Sequence, residues 1–315
     1  MFARIRTFIL LSITLFPLSG CLFRTHKVDR QVSQAALLAA NLPELESRLN
    51  QQAAAIKTLN ATVDIASSVG GSRKGKVTEF QEIRGYVLVR EPGMLRMIGL
   101  APVVRNRLFD MVSDGEQFKL SVPIKNKFVV GPKDVRVPSK QPFENLRPQI
   151  IMDSLIIRSV NANNEIGVLE SGYDVVRDTK SKRDVDEPNY ILDVIHHGAD
   201  GAWLSRKIYF SRTDLLPRRQ LMYDRSGNVV TAVYYNNFTM TQNVMFPQII
   251  LIERPQEEYS LQLSIVKLTL NAPLRDDQFE LEQPPGSQLQ VLEGASYKGE
   301  TTSPAKGPGR GRFHY

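Results

Sequence analysis

Only one cysteine, Cys21, occurs in the 315 residues, so the chain can form no internal disulfide. Histidine is scarce too, with His26, His196, His197 and His314 the full set. His196 and His197 are adjacent, and neighbouring side chains on a strand point to opposite faces, so the pair does not converge on a metal. There is no cysteine cluster, and no glycine-rich phosphate loop stands between a strand and a helix. Asp110, Asp114 and Glu116 crowd one stretch, but turns favour aspartate for backbone reasons. The single tryptophan, Trp203, opens an apolar strand and reads as a core or rim residue. The sequence therefore predicts no enzyme, no metal site and no bound cofactor. A long apolar run is missing as well: the best, Phe8 to Leu18, is short of the about 20 residues a membrane-spanning helix needs.

The formal charge of +7 does not mark a nucleic-acid binder. Arg4 and Arg6 sit in the first residues, and Lys298, Lys306, Arg310 and Arg312 face only Glu300 in the Gly- and Pro-rich stretch 294–315. The body between is close to neutral, whereas nucleic-acid recognition concentrates charge on a folded face. Hydrophobic content of 42% is enough for a real core.

The first residues explain the lone thiol. A basic start, the apolar run from Phe8, and small Ser19 and Gly20 before Cys21 have the layout of a secretory signal peptide. Leu18-Ser19-Gly20-Cys21 resembles the lipobox of bacterial lipoproteins. That resemblance implies cleavage before Cys21, an S-diacylglycerol on its thiol and an acyl chain on its new amino group. The alternative is an ordinary signal peptide with a chance cysteine. Two or more acyl chains anchor stably where one binds marginally. Leu22 follows in place of the aspartate that retains some lipoproteins at the inner membrane, so the expectation is an outer-membrane protein facing the periplasm.

Four segments are expected: a signal peptide over 1–20, a lipidated tether over 21–41, a folded body over 42–293 and a disordered basic tail over 294–315. In the body, "LPELESRLNQQAAAIKTL" (42–59) has helical apolar spacing, with Pro43 in the first turn and Glu44 and Glu46 near the positive end. A second helical segment, broken or started at Pro148, is expected within 142–159. The remainder reads as about ten short strands. Pro92-Gly93 hinges one strand pair, and Asp114-Gly115 and Ser226-Gly227 turn two hairpins. "NEIGVLES" and "GYDVVRD" read as two strands, followed by a charged loop, "TKSKRDVDEPN" (179–189). The apolar phase slips between Ile265 and Leu268, which a β-bulge would explain. So many strands must hide one face and their edges. The expected fold is mainly β: a large curved antiparallel sheet forming an unclosed barrel, with a helical lid over an apolar cavity.

Three stretches, "REPGMLRM" (90–97), "VSDGEQFKL" (112–120) and "LNAPLRDDQFELEQPPGSQLQVL" (270–292), resemble in order segments of the LolA/LolB-like lipoprotein carriers and receptors. The resemblance implies an unclosed antiparallel barrel whose cavity holds acyl chains of lipoproteins in transit. Cys21 places the chain on the side of the anchored receptor, with a periplasmic lipoprotein carrier as a possible partner. Receptors of this kind expose an apolar residue after a proline in the loop that follows the Pro-Gly strand. Here "IGLAPVVRN" offers Leu100, Pro102, Val103 and Val104 as a membrane-contact loop, with valine for the family's leucine and no glycine after it. On residue pattern alone, Leu100, Val103 and Val104 equally end a buried strand. The expected function is delivery of lipoproteins or other lipids to the outer membrane. The alternative is a structural or assembly lipoprotein that holds a protein partner on the same curved sheet.

Overall fold

A computed structural model describes residues 31–32, 36–133, 147–177, 182–292 and 295. The chain divides into two compact units, Met1–Gln34 with Asp174–Glu187, and Ala35–Tyr173 with Pro188–Tyr315. In the smaller unit, β1 (Gln31–Val32) runs parallel to residues 185 and 186, and Arg177 pairs with Asp184.

The larger unit begins with α1 (Leu42–Ala55). Asn41 caps it: its side chain accepts from the Glu44 N–H, and the Glu44 carboxylate accepts from the Asn41 N–H. The helix stops four residues before its expected end. Asn271 takes over there, donating to the Ala55 carbonyl and accepting from the Lys57 N–H, which turns the chain into β2 (Thr58–Gly71). Next come β3 (Lys76–Glu79), β4 (Ile83–Arg90), β5 (Met94–Leu100), β6 (Arg107–Ser113), β7 (Gln117–Val122) and β8 (Lys127–Pro132). The second helix, α2, covers only Pro148–Leu155 of the expected 142–159, with Pro148 in its first turn. Residues 142–146 lie outside the described set, and Ile156 is already extended.

β9 (Glu165–Arg177) is one strand where two were expected; its exposure pattern slips at Glu170–Ser171, which made the run read as two. β10 (Asp184–Gly198) corrects a second expectation, because its first six residues belong to the stretch read as a charged loop. Backbone pairing, which side-chain composition does not reveal, makes them strand. β11 (Gly201–Ser211), β12 (Pro217–Tyr223), β13 (Val229–Thr241), β14 (Val244–Arg254), β15 (Tyr259–Leu270) and β16 (Gln288–Val291) complete the chain. The slip in β15 is a break in register between Ile265 and Lys267, as the sequence pattern requires.

From β10 the ladder runs in sequence to β15, crosses to β2, and continues through β4, β5, β6, β7 and β8 to β16; β3 pairs with β2 and β9 with β10. All neighbours among β4 to β8 and β10 to β15 are antiparallel, while β16 runs parallel to β8. Among the described residues the end strands do not pair with each other, so the curved sheet is unclosed. Alternation selects its inner face: in β4, Ile83, Gly85, Val87 and Val89 are buried while Arg84 and Tyr86 are exposed. Leu45 and Leu49 of α1 and Ile151, Met152 and Leu155 of α2 join the inner side chains of β2 to β15 in one apolar cluster. No helix among the described residues is long and apolar enough to cross a membrane.

Candidate functional site

The β5–β6 connection spans residues 101–106. Ala101 N–H donates to Asn106 O (2.8 Å), Arg105 N–H to Ala101 O (3.0 Å) and Val104 N–H to Pro102 O (2.8 Å). This tight turn places Val103 97% exposed and Val104 66% exposed. Val103 has φ 67° and Arg105 φ 54°. A positive φ is costly for a β-branched residue, because its Cβ crowds the backbone. Pro102 is exposed with the valines, whereas Leu100 is not in the turn: it ends β5, paired with Arg107 and half-buried. Of the four loop residues read from the sequence, three project together and Leu100 belongs to the strand beneath them.

The base of this turn is held rigidly from both faces. On the inner face Phe109 lies over Gly99, its cross-strand partner; a Cβ there would stand 2.3 Å from the Phe109 ring. Only glycine fits that close approach. On the outer face Asp110, 1% exposed, accepts two hydrogen bonds from Arg96 (3.0 and 2.8 Å) and a third from Arg107 (2.9 Å). Arg96 also donates to the carbonyl of Gln278 (3.0 Å), and Arg90 to that of Leu274 (2.9 Å), which ties the segment after β15 across this face. A groove of about 400 Å³ lies beside it, with Arg107, Asp110, Ser121, Glu280 and Glu282 in its walls. The three acids that crowd this hairpin have separate tasks. Asp110 is an ion-pair centre, Asp114 accepts the Glu116 and Gln117 N–H groups of the turn, and Glu116 is an exposed partner of Lys133.

The inner face is apolar but not uniformly so. Arg206 on β11 is buried and donates to the carbonyls of Arg158 (2.9 Å) and Ser159 (3.2 Å) and to Glu165 (3.0 Å). Burial pushes its pKa down, against the pull of Glu165. Gln220 donates to the Asp153 carbonyl of α2 (3.3 Å). Burial pushes the Tyr235 phenol well up, with Asp153 adding to the effect. Tyr235 Oη, Gln220 Oε1 and Arg206 Nε have no hydrogen-bond partner among the described residues. These polar groups sit on three neighbouring strands, β11, β12 and β13, at inward positions that sequence alternation alone would fill with aliphatics, so the sequence pattern does not single them out. A second groove, about 320 Å³, runs along α1 between Leu49, Gln52, Phe210, Leu215 and Val244.

Elsewhere, His196 packs against Trp203 at a tilt of 34° (4.0 Å between ring centres), and the Arg225 guanidinium lies over the Trp203 ring, 4.5 Å from its centre. Among the described residues no three His, Cys, Asp or Glu side chains group as metal ligands. Cys21, with the expected cleavage site and most of the tether, lies outside the described residues, as does nearly all of the stretch 294–315.

An unclosed antiparallel sheet with two short helices on its inner face defines the architectural class. Solved structures of similar outline include a LolA superfamily protein from Nitrosomonas europaea (15% identity, TM-score 0.46, covering 75% of this chain and 97% of that one). Another is a DUF1329 family protein from Desulfovibrio piger (14%, 0.46, 75% and 94%). A third is a domain described as outer membrane lipoprotein-sorting from Vibrio parahaemolyticus (10%, 0.42, 74% and 92%). Each is a distant likeness. No protein-family model and no curated protein matches the chain.

Proposed function

We propose that this chain is a lipoprotein of a bacterial cell envelope, anchored by acyl chains on Cys21, that takes up lipid acyl chains and hands them to the outer membrane at the β5–β6 turn. The observation that carries this reading is Val103. A β-branched residue at φ 67° and 97% exposed adds nothing to a core and strains the backbone, so its apolar surface serves something outside the chain. The inner face supplies the uptake surface. α1 and α2 cover it with Leu45, Leu49, Ile151, Met152 and Leu155, which share one apolar cluster with the inner side chains of the sheet. Acyl burial there gains about 0.8 kcal/mol per CH₂, so no chemical step is needed and direction follows from relative affinities. Cargo is lipoprotein acyl chains or other lipids, with a periplasmic carrier as donor.

The test is extraction and mass spectrometry of the full chain carrying Cys21→Ala, together with uptake of a fluorescent fatty acid. Co-purified lipid and saturable uptake are expected; a chain that carries no lipid and takes up none contradicts the reading.

A second reading, a structural or assembly lipoprotein holding a protein partner, draws on β9. Its only ladder partner among the described residues is β10, and Ile166 and Val168 are exposed on it. That reading expects no fatty-acid uptake and loss of partner binding on Ile166→Lys.

A further inference from the structure

Two turns carry bare apolar tips at one end of the sheet. The first is the β5–β6 turn with Val103 and Val104. The second joins β7 to β8 through the short 3-10 turn Pro123–Lys125, where Ile124 is 80% exposed. β5, β6, β7 and β8 are consecutive antiparallel neighbours, so both turns leave the same end, while the turn at Asp114–Glu116 leaves the opposite one. Strands are spaced about 4.8 Å apart, which sets the two turns two spacings, about 10 Å, from each other.

The second turn is also built to hold its tip outward. Asn126 adopts φ 50°, its N–H donates to the Pro123 carbonyl (2.9 Å), and its side chain donates to the Gly286 carbonyl (3.0 Å). Both tips are flanked by cations: Arg105 and Arg107 at the first, Lys125 and Lys127 at the second. Neither 101–107 nor 123–127 contains an acid. Beside the first turn, Asp110 is buried under Arg96 and Arg107, and Glu280 and Glu282 line the wall of the outer groove.

We infer that the two turns form one docking edge for an anionic lipid surface, an inference that rests on the delivery reading above. Val103, Val104 and Ile124 enter the acyl boundary while the exposed Arg105 and Lys125 beside them meet lipid phosphates and acidic headgroups. Apolar tips flanked by cations match the layered chemistry of an anionic bilayer, hydrocarbon beneath negative charge. A fluid surface can also admit two separate convex tips at once, and the charge term weakens with salt.

Because Cys21 is the only cysteine, the full chain carrying Cys21→Ala accepts single reporter sites. An environment-sensitive fluorophore is placed at Val103→Cys, Ile124→Cys or, at the opposite end of the sheet, Glu116→Cys. Each is mixed with vesicles of phosphatidylcholine alone or with added phosphatidylglycerol. The expected result is a blue shift at positions 103 and 124 with the anionic vesicles only, reversed by high salt, and none at 116. A shift at 103 without one at 124 overturns the two-turn edge and leaves the delivery reading standing. Equal shifts on both vesicle types overturn the anionic selection. A shift at 116 as large as at 124 overturns the edge. No shift at either tip overturns the edge and the membrane role of Val103 together.

Discussion

Gly93 and Gly115 lie back to back: a Cβ added to Gly93 would stand 2.9 Å from the Cα of Gly115. The Pro-Gly turn between β4 and β5 and the Asp-Gly turn between β6 and β7 therefore touch through their backbones. Gly115 has φ 92°, a conformation that side-chain-bearing residues avoid. Gly115→Ala is expected to cost about 1–3 kcal/mol. Thermal melting should show it as a loss of about 2–4 °C per kcal/mol. A melting temperature equal to that of the parent would mean the contact is not maintained.

Removing Arg96 tests the buried ion pair on the outer face. Arg96→Ala leaves Asp110 buried with only the half-exposed Arg107 as a charged partner, and releases the Gln278 carbonyl. The expected loss is about 3 kcal/mol, the lower end for breaking a buried pair. Arg84→Ala, which breaks an exposed pair with Asp64, should cost no more than about 1 kcal/mol. Denaturant titration of the two variants side by side checks the ordering; equal losses contradict it.

Tyr235 links stability to alkaline pH. Burial raises its phenol pKa in the folded chain, so its contribution is fully present below the unfolded value near 10 and is lost as pH rises beyond it. Melting temperature should fall above about pH 10. The fall should be shallower in Tyr235→Phe, with a residual slope from Tyr259, whose phenol is also raised by burial and by Glu257. At neutral pH Tyr235→Phe should be nearly neutral, because the hydroxyl it removes has no partner among the described residues. A large loss at pH 7 would show that the hydroxyl is bonded.

Local signals made most of the sheet legible. Alternation in β4, the phase slip in β15, and Asp-Gly and Ser-Gly turns each act over a few residues, and the structure has them where the sequence implies. Long-range partners were not legible. Asn271 ends α1 from more than two hundred residues away, and backbone pairing draws Asp184–Asn189 into a strand despite its charge. At the candidate site, "APVV" gave the projecting turn because an apolar connection between strands is anomalous. Leu100, read from the sequence as a loop residue, is the last residue of β5, because only the pairing with Arg107 reveals where that strand ends. Ile124 gave no comparable signal, because one isoleucine among polar turn residues is ordinary, and its significance lies in which end of the sheet it shares with Val103.

Val103 also separates stability from activity. Its positive φ suits glycine better than valine, so Val103→Gly should hold or raise the unfolding free energy, by up to about 1 kcal/mol of relieved strain, as denaturant titration reads it. A clear loss of stability would place Val103 in a packing role.

The most direct measurement is the rate at which the chain, loaded with a fluorescent acyl probe, transfers it to acceptor vesicles, compared between wild type and Val103→Glu. The substituted side chain is exposed, so folding should be unchanged while transfer falls severalfold, because a carboxylate resists entry into the acyl boundary. A folded Val103→Glu chain that delivers the probe at the wild-type rate would contradict the proposed function of this turn.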